Sequence, residues 1–93
     1  MTVFAIVATN GTGTSRERMK NAIAGNFTEQ QYLPVDDCMW LVDSEFATAK
    51  ELSTFLSGEA NENGLTSFMV FPLNSYYGRH TKIVWEWLNA KGL

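Results

Sequence analysis

An α+β fold built on an antiparallel sheet is predicted by three features of this chain. Short apolar runs alternate with segments of helical periodicity, in the order strand, helix, strand, strand, helix, strand, helix. Both crossover connections are long enough to hold a helix, whereas the two middle strands meet at a tight turn. At 93 residues, 45% of them apolar or aromatic, the chain can bury one core without disulfide or metal staples. This order is the split βαβ, or ferredoxin-like, βαββαβ arrangement: an antiparallel sheet with two helices on one face and a short C-terminal helix. No repeat, linker or low-complexity tract interrupts it, so residues 1–93 read as a single domain.

Val3 to Ala8 is a continuous apolar run whose length and β-branched content favour a central strand. Ser15 to Asn26 places Met19, Ala22, Ile23 and Phe27 on one helical face, with Gly25-Asn26 as its stop. Gln31 to Val35 and Cys38 to Asp43 read as paired strands around Asp36-Asp37. Pro34 puts the first of them at an edge or a bulge, because proline has no N–H to give a ladder. Thr48 begins a second helix, with Leu52, Phe55 and Leu56 inward and Gly58 near its end. Leu65 to Leu73 is the last strand, and Thr81 to Ala90 carries Ile83, Val84, Trp87 and Leu88 at helical spacing.

The strands are apolar on both sides. Val3, Ala5 and Val7 oppose Phe4, Ile6 and Ala8; Met39 and Leu41 oppose Cys38, Trp40 and Val42; Met69, Phe71 and Leu73 oppose Phe68 and Val70. Two helices cover one face only, and a bare apolar sheet exceeds what a monomer tolerates. Covering about 500 Å² of it contributes on the order of 10 kcal/mol before association costs. The C-terminal helix, a second copy of the chain, or both must supply that cover. A homodimer through a sheet face is the expectation.

The net charge of −3 disfavours a nucleic-acid partner, since phosphate binders carry a basic surplus. Met1 to Ala8 is too short and lacks the basic segment for a signal peptide or membrane span, so a cytoplasmic protein is expected. The single Cys38 has no disulfide or zinc-ligating partner among cysteines, and its apolar neighbours Met39 and Trp40 suggest a buried, inert thiol.

The loop Ala8-Thr9-Asn10-Gly11-Thr12-Gly13-Thr14-Ser15 invites a phosphate-binding reading and fails it. No lysine follows Gly13, and Arg16 stands where a dinucleotide fingerprint needs a third glycine. Thr14-Ser15-Arg16-Glu17 instead has the pattern of a capping box, as does Thr48-Ala49-Lys50-Glu51.

Phe4-Ala5-Ile6, Met39-Trp40-Leu41-Val42, Leu65 with Phe68-Met69-Val70, and Trp87-Leu88 together span nearly the whole chain. In these marks it resembles the SinR-like family of small ferredoxin-like proteins, related to the CRISPR-associated adaptation protein that pairs with the integrase. The resemblance implies a homodimer packed sheet against sheet. It also implies, for some members, a metal-dependent nuclease in which an aspartate ends the first strand and holds a divalent ion across the dimer axis. Here Ala8-Thr9-Asn10 occupies that place with no carboxylate, and neutral oxygens hold Mg²⁺ poorly. No resident cofactor is expected, with Mg²⁺ entering only under a nuclease reading.

Two further stretches bear chemistry. Asp36-Asp37, with Asp43 and Glu45 beyond, is the carboxylate cluster, and turn formation accounts for the pair. Tyr76, Tyr77, Arg79 and His80 converge after the last strand; such rings and a guanidinium can stack single-stranded bases, and the lone histidine can move protons. Arg16, Arg18 and Lys20 form either a solvated helix face or a nucleic-acid footprint.

The leading expectation is a non-catalytic, homodimeric binding or assembly module, with a protein partner possible. The alternative is a metal-dependent ribonuclease of the CRISPR-associated or toxin type. Its candidate catalytic residues are Asn10 and His80, with Thr9, Asp36 and Asp37 beside them. A third reading binds single strands without cleavage through Tyr76, Tyr77 and Arg79.

Overall fold

The computed structural model describes residues 2–9, 13–60, 67–74, 78 and 82–92, with backbone alone at 13–15 and 59–60. The elements follow in the expected order: β1 (Thr2–Ala8), α1 (Gly13–Asn26), β2 (Tyr32–Asp36), β3 (Met39–Ser44), α2 (Ala49–Ala60), β4 (Phe68–Pro72) and α3 (Lys82–Ala90). The strands form one antiparallel sheet in the order β2-β3-β1-β4, compatible with the ferredoxin-like α+β fold. Ile6 sits at its centre, opposite Trp40 on one side and Val70 on the other. No helix among the described residues is long and apolar enough to cross a membrane.

The inner face of the sheet carries the larger core. Phe4, Ile6, Ala8, Trp40 and Val42 meet Met19, Ala22 and Ile23 of α1 and Leu52 and Leu56 of α2, all buried. These are the helical faces that the 3- and 4-residue spacing predicts. Phe55 closes one end, tilted against Phe46 at 5.4 Å between centroids and edge-on to Phe27 at 6.3 Å.

Turn and cap chemistry largely follows the sequence. At the start of α2 the Glu51 N–H donates to Thr48 Oγ1 at 3.1 Å, and the Thr48 hydroxyl donates to Glu51 Oε1 at 3.2 Å. Asn26 ends α1 by donating from Nδ2 to the Ala22 carbonyl at 2.7 Å. The pairing of β2 with β3 is irregular between Pro34 and Asp36, and β2 is an edge strand, where the missing N–H of Pro34 costs the ladder nothing. Asp37 N–H donates to Asp36 Oδ1 at 2.7 Å, so the acidic pair does build the turn.

Three details differ from expectation. The helix α1 begins at Gly13, which places Thr14 inside its first turn rather than at the cap. First-turn amides have no intrahelical partner in any case, so helical dihedrals extend back over Gly13 and Thr14 at little cost. Of the expected strand Leu65 to Leu73, residues 65–66 lie outside the described residues; in the rest the regular part is Phe68–Pro72, and Leu73 N–H adds a bond to the Val3 carbonyl at 2.8 Å. Cys38 is half-buried in the β2–β3 turn with a free thiol, its carbonyl accepting from Ala8 N–H at 2.8 Å.

The α2 cap is testable on its own. Thr48→Ala removes an acceptor from an orphan amide and is expected to lower stability by about 1 kcal/mol in urea titration. Glu51→Gln, which can still accept from Thr48, should cost less.

Candidate interaction surface

The outer face of the sheet is where composition and packing leave something unfinished. Val3 and Ala5 of β1 and Leu41 of β3 are buried to 5%, 5% and 3% exposure by Val84 and Leu88 of α3, with Leu33, Val35, Met39, Leu73, Trp85 and Trp87 around them. The C-terminal helix is therefore one of the expected covers. It lies toward β2. The strand residues packed with it come from β1, β2 and β3, joined by Leu73 just past β4.

What α3 leaves open is the β4 side. Met69 is 53% exposed and Phe71 44%, both on the outer face beside Val7 and Ala5 of β1. Ile83, on α3 itself, is 63% exposed. These exposed large apolar side chains all belong to the outer layer, and the two-helix side contributes none among the described residues. The asymmetry follows from counting helices: two on the inner face, one on the outer.

An ion pair pins α3 in place. Lys91 Nζ, just past the helix, lies 3.2 Å from Asp43 Oδ2 and 5.2 Å from the centroid of the Trp87 ring. Both charged side chains are largely buried, at 20% and 12% exposure, so water screens them little. Trp87 Nε1 is buried with no hydrogen-bond partner, which costs part of what the indole gains by packing. By contrast, the Lys82–Glu86 pair at 3.6 Å is exposed and contributes little.

Asp43 thus does not join the acidic cluster that the sequence suggests; it belongs to the α3 anchor. Asp36 and Asp37 face a different neighbour. A cleft of about 470 Å³ between α1 and the β2–β3 hairpin is lined by Arg16, Glu17 and Lys20 of α1 and by Asp36 and Asp37, with Tyr32 and Trp40 in its walls. Cations and carboxylates sharing one cleft offset each other's field, which suits neither a lone phosphate nor a divalent ion. Arg18 does not lie on a solvated face throughout: it is half-buried, and its Nη1 is buried without a hydrogen-bond partner. Among the described residues no group of three His, Cys, Asp or Glu is placed to hold a metal ion.

Thr9 is exposed at the end of β1, its N–H donating to the Ser67 carbonyl at 2.8 Å. Asn10, Tyr76, Tyr77, Arg79 and His80 lie outside the described residues. The sequence signal that could have identified the anchor was an unmatched basic residue one turn beyond Trp87, combined with a carboxylate on the outward side of a strand. No protein-family model, curated protein or solved structure matches the chain.

The anchor predicts two stability effects. Lys91→Met keeps the stem over Trp87 but strands the Asp43 charge, and should lower unfolding free energy by about 1–3 kcal/mol. Adding Asp43→Asn should return part of that loss, the signature of direct coupling in a double-mutant cycle. Leu88→Ala should cost about 2–4 kcal/mol, whereas Ile83→Ala on the open flank should change stability by less than about 0.5 kcal/mol.

Proposed function

We propose that this chain is a non-catalytic, homodimeric binding or assembly module that associates through the outer face of its sheet. The observation that carries the reading is the concentration of exposed apolar side chains, Met69, Phe71 and Ile83, in the outer layer. A folded chain gains by removing such side chains from water, and a second copy presents the same surface for a two-fold, isologous contact. The resemblance to the SinR-like family implies the same oligomeric state.

Composition supports the choice of a protein partner over a nucleic acid. The chain carries net charge −3, and β4 has no charged residue with which to meet phosphate. The part of the outer face already sheltered by α3 needs no second copy. The contact is therefore smaller than an entire sheet face and centres on β4.

Light scattering coupled to size exclusion is the test. The full chain should run as a dimer at about 50 µM, and Met69→Glu with Phe71→Glu should convert it to a folded monomer by placing like charges at the contact. A wild-type monomer at that concentration overturns the reading.

A further inference from the structure

Antiparallel strands direct their N–H and C=O groups alternately to one neighbour and the other. In β4 the alternation is fixed at both ends: Thr9 N–H donates to the Ser67 carbonyl and Leu73 N–H to the Val3 carbonyl, each at 2.8 Å. Odd-numbered residues therefore bond inward to β1, in the unbroken register Val7↔Met69 and Ala5↔Phe71. The even-numbered Phe68, Val70 and Pro72 turn their backbone groups outward, to the side where the sheet ends.

The two edges of this sheet are built differently. The β2 edge is guarded by Pro34, a bulge at Pro34/Asp36 and the charge of Asp36, the devices that keep edge strands from pairing with other chains. The β4 edge reads Phe68-Met69-Val70-Phe71, with neither charge nor bulge, and proline only at its last residue. Among the described residues, one edge carries devices against pairing and the other carries none.

From this we infer that the outward edge of β4 pairs antiparallel with β4 of a second copy about a two-fold axis at Val70, joining the two sheets into one. The inference rests on the homodimer reading and moves its contact from the sheet face to the β4 edge. In this register the whole of Phe68–Pro72 faces itself in reverse. Val70 N–H of each copy donates to the other's Val70 carbonyl, and Phe68 N–H of each donates to the other's Pro72 carbonyl. Pro72 lacks an N–H at the end of the ladder, where the Phe68 carbonyl opposite can reach water.

Side chains agree with this register. Met69 of one copy lies directly across from Phe71 of the other, in the non-hydrogen-bonded position where cross-strand side chains are closest. Each exposed side chain is covered in part by its partner from the other copy, through two sulfur–aromatic contacts. A foreign extended segment could use the same backbone groups; a second β4 in addition sets each exposed Met69 against an exposed Phe71. A face-to-face dimer, by contrast, would leave the Phe68 and Val70 amides unpaired.

Amide hydrogen exchange on the full-length protein, read by NMR beside light scattering, separates the cases. Met69 and Phe71 amides, which bond inward to β1, serve as controls within the same strand. In a dimer joined at this edge, Phe68 and Val70 amides exchange within about tenfold of those controls, and isotope-filtered spectra show an Hα–Hα contact between Met69 and Phe71 of different copies. A dimer in which Phe68 and Val70 exchange about a hundredfold faster than the controls overturns the edge pairing and leaves the sheet-face dimer standing. A monomer overturns both. Val70→Pro, which deletes the central donor on the open side only, should weaken dimerisation at least about tenfold while Met69 and Phe71 amides stay protected.

Discussion

A four-stranded sheet that is apolar on both faces needs two complete layers of cover, and the described residues supply one complete layer and part of a second. On the inner face α1 and α2 together shelter Phe4, Ile6, Trp40 and Val42 from solvent. On the outer face α3 is the one helix among the described residues, and Met69 and Phe71 of β4 stay exposed beside it. Most of what is distinctive about the surface follows from that deficit.

The position of α3 is a compromise between hydrophobic contact and a buried charge. Val84 and Leu88 supply the apolar contact that seats the helix on Val3, Ala5 and Leu41. The Lys91–Asp43 pair fixes where along the sheet it ends, since an ion pair has direction and a greasy contact has little. A largely buried pair of this kind adds less to stability than its Coulomb energy suggests, because both groups lose water. Its stronger effect is registry: the helix that satisfies Asp43 contacts β2 and leaves Met69 and Phe71 uncovered.

Much of the fold was legible along the chain because each signal was local. The apolar periodicities of Met19, Ala22 and Ile23 and of Leu52, Phe55 and Leu56 placed both helices, and the Thr48–Glu51 box placed one cap. Pro34 announced an edge or a bulge. The Thr14–Glu17 box missed the start of α1 by two residues, because first-turn amides have no intrahelical partner and the helix can extend back at little cost. The carboxylates were grouped by nearness in sequence, yet Asp43 pairs with Lys91, 48 positions later, while Asp36 and Asp37 stay in the β2–β3 turn. Charges find partners through space, and one-dimensional spacing carries that information only within a helix or a hairpin.

The sequence alone determined that the strands would be greasy on both sides, because side-chain alternation is a property of the extended backbone and needs no tertiary contact. It determined equally that β2, with its proline, would lie at an edge or carry a bulge. Which half of the outer face would be sheltered was decided only in three dimensions, where α3 must satisfy Asp43 and bury Val84 and Leu88 together. The polarity of the β4 backbone groups was likewise a tertiary outcome: the same residues in the other register with β1 would send Met69 and Phe71 amides outward and close Phe68 and Val70 against the sheet.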